Sequence, residues 1–274
     1  AALRYDFFRY MSASVTTPTG RREYEEHSSF NMIKNKALTY RFGAVYLPHP
    51  NTSIYASFAS FFKPIRTFYQ DNVIYVGGDG NRFEPARNEE VFKPEKGYQA
   101  EVGLKYQLNN ILSANASLFY IRKMNSTATL TNNYQVEVNG ETTTMSVIGQ
   151  VGVQDSKGFD FDVTLSPVST LALTIGYGLN DAIYGNNPDE TKQQLNSQEG
   201  NWQSNVPNQT FYAYGSYTIP RGVLKNLEFH LSSSYTGKVY RNTSNNSWFD
   251  PYWVTDFGMS YLLNNNIHLT FNLN

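Results

Sequence analysis

Histidines and their neighbours are the first candidates for chemistry, because imidazole ligates metals and moves protons near neutral pH. The chain has four, His27, His49, His230 and His268. None has zinc-type spacing to another histidine or to a carboxylate on one face. His230 stands in the run NLEFHLSSSY, two and four positions before Ser232 and Ser234. A serine and a histidine are the parts of a nucleophile–base pair. Neighbours on one strand give poor proton-transfer geometry, however, and no third residue is placed to orient the ring. Gly77-Gly78-Asp79-Gly80-Asn81 is rich in glycine. No helical segment follows it to cradle a phosphate, and the full ligand spacing of a calcium loop is missing. Asp71, Asp79, Glu84, Glu89 and Glu90, spread through the same stretch, read as solvated charges. No enzyme, no metal site and no resident cofactor is therefore expected.

The elements that carry these residues are more informative than the residues themselves. The chain has 21 Tyr and 18 Phe against 3 Trp, an excess that suits a pleated surface. Its formal net charge is −1, so it has no basic field to attract nucleic acid. The absence of cysteine removes disulfides and thiolate metal sites. No run of about 18 apolar residues occurs, so no transmembrane helix is expected. The polar mean hydropathy does not argue for solubility, because a barrel strand averages a lipid face against a wet one.

Apolar residues recur at every second position, the mark of strands with two unlike faces. In residues 97–108, Tyr98, Ala100, Val102, Leu104, Tyr106 and Leu108 oppose Gln99, Glu101, Gly103, Lys105 and Gln107. Leu38, Tyr40, Phe42, Ala44 and Tyr46 oppose Thr39, Arg41 and Gly43. Phe159, Phe161, Val163 and Leu165 oppose Asp160, Asp162 and Thr164. Leu227, Phe229, Leu231 and Tyr235 oppose Glu228, His230, Ser232 and Ser234. About eleven such segments follow one another. The apolar faces of the four segments just named carry no charge, as a lipid contact requires, since Lys or Arg at the bilayer midplane costs about 2–4 kcal/mol.

Alternation alone also suits a soluble two-layer β-sandwich, the fold of a carbohydrate-binding or adhesion module. The connections separate the two readings. Long ones (17–36, 64–93, 128–145, 182–207, 238–249) alternate with short ones (48–51, 109–110, 166–170, 220–225, 264–266). All long connections then fall at one end of the sheet, as in outer-membrane barrels with short periplasmic turns and long extracellular loops. Long structureless loops are uncommon in compact soluble domains. The fold class expected is all-β, a transmembrane antiparallel up-and-down barrel. By loop parity the first and last strands run the same way, so residues 1–274 are expected to be one portion of a larger barrel.

The ordered motifs carry a family resemblance. They are Leu3-Arg4-Tyr5-Asp6, Phe62-Lys63-Pro64, Phe92-Lys93-Pro94-Glu95-Lys96-Gly97 running into Tyr98-Gln99-Ala100-Glu101-Val102-Gly103-Leu104-Lys105-Tyr106, Ser156-Lys157-Gly158-Phe159-Asp160-Phe161-Asp162, and Asn205-Val206-Pro207-Asn208. With the strands at 252–261 and 267–274, this set resembles the C-terminal barrel part of TonB-dependent siderophore receptors. Asp160 stands where that family commonly has Glu, and Asn208 where it usually has a basic or aromatic residue. The resemblance implies a barrel of about 22 strands with a plugged lumen. It implies import of ferric siderophore across the outer membrane of a Gram-negative bacterium. Iron enters only as part of the cargo, and energy comes from the inner-membrane TonB complex acting through a plug and TonB box that this chain is expected to lack. Outer-membrane lipid is the other expected partner. Cobalamin, haem or glycan is the alternative cargo.

Cargo contacts are expected from aromatic rings on the extracellular side, which offer broad contact at low entropy cost. The candidates are Tyr69, Tyr75, Phe83, Tyr184, Trp202, Tyr240 and Trp248, with Arg82, Arg87 and Arg241 to attract anionic complexes. Arg41, Glu101, Lys105, Asp160 and Asp162 are expected on the lumen face, pairing with one another or with the plug.

Overall fold

The computed structural model describes residues 1–12, 31–64, 73–76, 82–83, 94–138, 141–187, 198–264 and 267–273. They form fifteen strands: β1 (Ala2–Ser12), β2 (Asn31–His49), β3 (Thr52–Lys63), β4 (Val73–Val76), β5 (Arg82–Phe83), β6 (Glu95–Leu108), β7 (Leu112–Val138), β8 (Glu141–Val168), β9 (Leu171–Gly185), β10 (Gln209–Thr218), β11 (Leu227–Thr236), β12 (Val239–Tyr240), β13 (Trp248–Phe249), β14 (Tyr252–Asn264) and β15 (Ile267–Leu273). Eleven of them make one antiparallel path in chain order, β1-β2-β3-β6-β7-β8-β9-β10-β11-β14-β15. Every neighbour is thus the next strand of the path. That is the up-and-down arrangement expected, and it runs open from β1 to β15 among the described residues.

Register assigns the faces. Cross-strand partners point to the same side of an antiparallel sheet, so Phe42↔Phe58, Ala56↔Val102 and Leu104↔Ala116 share a face. Phe161↔Tyr177, Phe211↔Tyr235 and Met259↔Phe271 continue it across the sheet. On this apolar face Val102 is 46% exposed, Leu118 58% and Leu231 53%. A sandwich would bury these side chains under a second sheet. Among the described residues none covers them, which removes the soluble two-layer reading.

The other face is polar, and it is built around close ring–glycine contacts. The rings of Tyr55 and Tyr212 lie across their direct partners Gly103 and Gly176. A Cβ on either glycine would collide with the ring, so these positions are open for packing, not for turns. This is the aromatic cover of strand glycines that pins register in curved sheets. At the short-turn end, Asn109 takes a left-handed φ of 48°, a conformation Asn tolerates. It sits in the expected Asn109-Asn110 turn, closed by Ile111 N–H donating to the Leu108 carbonyl at 3.0 Å.

The opposite end differs from expectation in three places. Residues 128–145, read as a long loop, are mostly strand: β7 and β8 are 27 and 28 residues long and pair as far as Val138↔Glu141. A tilted span needs only about 9–11 residues, so this hairpin projects well past it. The reason is visible in the sequence. Thr and Val fill both arms, and Asn139-Gly140 between them is a strong hairpin dipeptide. The β7–β8 register is continuous up to Lys123 and then shifts repeatedly as far as Tyr134, the first shift spanning Asn125 (φ 62°). Second, β2 begins at Asn31, inside the stretch 17–36 read as a connection, and β9 runs on to Gly185, inside the stretch 182–207 read as another. Third, the segments 64–93 and 238–249 contain β4, β5, β12 and β13. β4 adds in parallel to the upper edge of β8, Tyr75 opposite Ile148.

Candidate functional site

Two groups of side chains on the polar face have the geometry of a site, one in the middle of the wall and one at the long-loop end.

In the wall, strands β6 and β8, with β7 between them, bring Glu101, Lys105, Asp160 and Asp162 to one face, as the alternation requires. Glu101 accepts the hydroxyl of Tyr55 at 2.5 Å. Lys105 Nζ sits 5.2 Å from the centre of the same ring. Asp162 Oδ2 accepts from Asn115 Nδ2 at 2.8 Å. The charged residues thus engage neutral neighbours more than one another. A hollow of about 220 Å³ lies beside them, lined by Gln99, Glu101, Ser117, Phe119, Ile121 and Asp160. Arg41, exposed, shares the face through Ala2 and Ala59. His230 stands between Ser216 and Gly258, its cross-strand partners on either side, with its ring over Gly258, and the Ser232 hydroxyl donates to Asp256 at 3.3 Å.

Nearer the loops, Glu95 is buried to 7% exposure between Lys63 (3.6 Å) and Lys123 (3.8 Å). Lys63, Glu95 and Gly97 with Lys123 alternate onto the polar face through Lys63↔Glu95 and Gly97↔Lys123. On the apolar face at the same end, the Asp155 side chain ties β8 to β7. It accepts Tyr120 Oη at 3.0 Å and pairs with Arg122 at 3.6 Å, while Arg122 also donates to the Asn186 carbonyl at 2.7 Å.

At the loop end the β11–β14 pair continues in unbroken register past its interruption. Thr236↔Tyr252 leads to Val239↔Phe249 and Tyr240↔Trp248. Lys238, Tyr240, Trp248 and Asp250 therefore stand on the polar side, while Val239 and Phe249 stand on the other. Lys238 Nζ is 4.0 Å from the centre of the Trp248 ring and 4.5 Å from that of Tyr240, and it donates to the Tyr240 hydroxyl at 3.2 Å. The two rings meet edge to face at 6.4 Å. Trp248 Nε1–H donates to Asp250 Oδ1 at 3.2 Å.

This hairpin is locked to the preceding loop. Asn245, left-handed at φ 54°, accepts the Trp202 N–H at 2.6 Å and donates to the Trp202 carbonyl at 2.9 Å. Asn201 Nδ2 donates to the Thr243 carbonyl at 2.9 Å, and Asn205 N–H to the Tyr240 carbonyl at 2.8 Å.

Of the residues singled out from sequence, the structure unites Tyr240 and Trp248. Tyr184 is on the polar face opposite Gln154. Trp202 bridges to Ile183, an apolar-face position, and Arg241 stacks on Phe249 at 5.0 Å, away from Trp248. Tyr75, Arg82 and Phe83 lie in β4 and β5. Tyr69 and Arg87 lie outside the described residues. Sequence reading missed Lys238. The signal that finds it is parity: it is two positions before Tyr240, on the same face of the same strand.

Comparison with known proteins places this geometry. The family model "TonB dependent receptor-like, beta-barrel" matches residues 1–274. The chain is 25% identical over 242 residues to a probable TonB-dependent siderophore receptor, PiuA, of Acinetobacter baumannii, covering 86% of this chain and 29% of that protein. It is 25% identical over 255 residues to the ferrichrome outer membrane transporter/phage receptor of Escherichia coli, covering 90% of this chain and 29% of that one. The crystal structure of PiuA superposes with a TM-score of 0.67 at 22% identity, over 98% of this chain and 35% of PiuA. The ferric yersiniabactin uptake receptor FyuA of Yersinia pestis gives 0.68 at 13% identity, over 98% and 36%. The chain therefore spans about a third of these proteins, and the two superpositions establish a shared fold.

Proposed function

The chain belongs to the TonB dependent receptor-like β-barrel family, and from that premise we propose that it forms part of the wall of an outer-membrane receptor importing ferric siderophore complexes. The observation that carries this reading is the sheet itself: one uncovered apolar face, one polar face, and every long connection at one end. That wall has lipid outside and a wet lumen inside. Both curated relatives cited above are transport receptors, and their names specify siderophore and ferrichrome cargo.

In this reading the cargo is a ferric siderophore, iron enters only inside it, and the protein needs no cofactor. Glu101, Lys105, Asp160, Asp162 and Arg41 line the lumen, where charged partners on a plug domain meet them. The inner-membrane TonB complex supplies energy by acting on that plug. The loop-end aromatic residues make first contact with cargo, and outer-membrane lipid surrounds the apolar face. Catalysis has no part in it.

The test is growth of a strain lacking the gene on defined iron and nutrient sources. Loss of growth on ferric siderophores, with haem, cobalamin and glycan use intact, is the expected result. Loss confined to haem, cobalamin or glycan use would overturn the cargo assignment.

A further inference from the structure

The polar side of the β11–β14 hairpin holds a cation between two aromatic rings. We propose that Lys238, clasped by Tyr240 and Trp248, selects the cargo, and that the cargo is a ferric complex whose chelating groups are anionic aromatic rings, of the catecholate type. The inference rests on the siderophore reading above and narrows it to one chemical class.

The argument begins with what fixes Lys238. A free lysine is a flexible, strongly hydrated charge, and immobilising it on a ligand costs side-chain entropy. Here two ring faces at 4.0 and 4.5 Å and the Tyr240 hydroxyl at 3.2 Å already hold the ammonium. Aromatic faces attract a cation without neutralising it, so its charge stays available. The carboxylate across the strand pair is Asp250, and its Oδ1 accepts the indole N–H of Trp248.

The surroundings favour an aromatic anion over a simple one. Trp248 is 47% exposed, so a broad indole surface remains beside the ammonium for a flat ring to stack on. A catecholate supplies a ring for that surface and oxygen charge for Lys238 in the same rigid group. An uncharged ferric hydroxamate supplies neither. Arg241, on the opposite side of the hairpin, does not take part. The platform is also preorganised: Asn245 and Asn201 bind it to the neighbouring loop, and Asn242 donates to Asn246 across the hairpin tip at 2.6 Å. Binding then orders little that was not already ordered.

The experiment is equilibrium binding of two iron-radiolabelled probes, an anionic ferric tris-catecholate and an uncharged ferric tris-hydroxamate, to the full-length receptor in detergent. The wild type is expected to prefer the catecholate. Lys238→Gln should weaken catecholate binding about tenfold or more, the scale of a charge-assisted hydrogen bond, and leave any hydroxamate binding unchanged. Lys238→Arg should retain most of the affinity, which separates lost charge from lost folding. Asp250→Asn, which keeps an acceptor for Trp248 and removes a negative charge, should strengthen catecholate binding. Unaltered catecholate affinity in Lys238→Gln would overturn the proposal while leaving siderophore import standing, as would a wild-type preference for the hydroxamate. Binding of neither probe, joined to normal growth of the deletion strain on siderophores, would overturn both.

Discussion

The ring of Tyr212 in β10 lies over Gly176 in β9, its direct cross-strand partner, so closely that no Cβ fits between them. Tyr55 covers Gly103 in the same way between β3 and β6. Each contact joins a large side chain to a missing one, and a slip of the register would separate both pairs.

Gly176→Val should therefore destabilise the barrel by about 1–3 kcal/mol, the range for forcing extra atoms into a packed site. Thermal unfolding in detergent micelles checks this. In the Gly176→Val, Tyr212→Ala double variant the cost should be less than the sum of the two single costs, because the collision is gone. Strict additivity would show that the ring is not what excludes the side chain.

Adjacent residues on one strand test the two faces. Leu118→Arg places a charge on the apolar face and should cost about 2–4 kcal/mol of folding into a bilayer. Ser117→Arg, one residue away, points to Glu101 and Asp160 across the hollow and should be close to neutral. Refolding into lipid vesicles under a denaturant series measures both. Equal costs would contradict the face assignment.

Asn245 makes two reciprocal bonds to the Trp202 backbone and adopts a left-handed φ that Asn tolerates and alanine does not favour. Asn245→Ala should loosen both loops together, at a local cost of about 1–3 kcal/mol. Hydrogen exchange is the readout, with faster exchange expected at residues 200–205 and 239–248 alike. Loosening of one loop alone would mean that the two are not coupled through this residue.

Asp155→Ala removes the shared acceptor of Tyr120 and Arg122. The Arg122–Asp155 pair is partly exposed, so the expected loss is modest, about 1 kcal/mol. Limited proteolysis should report it at the loop ends of β7, β8 and β9, with the short-turn end unaffected. An unchanged digestion pattern would show that the pair contributes nothing measurable.

Much of this architecture was legible in the chain before any coordinates. Strand faces such as Tyr98 to Leu108, the tight turn at Asn109, and the side on which the long connections fall are all local properties. Period-two alternation and turn dipeptides are written within a few consecutive residues, and lipid contact excludes charge from the apolar face along the membrane-crossing stretch of a strand, while Arg122 and Asp155 stand on that face only nearer the long-loop end. The projecting β7–β8 hairpin was legible in principle too, through Asn139-Gly140, but its polar arms lack the apolar alternation that marks a span.

What tertiary structure decided is which residues meet. Phe61 finding Gly97, Asn245 reaching Trp202 across more than forty residues, and Lys238 joining Trp248 while Arg241 turns away all depend on register between strands. Register is set by a whole ladder of backbone hydrogen bonds and by long connections whose length leaves the pairing free. The alternation says which face a side chain takes; only the paired ladder says what stands beside it.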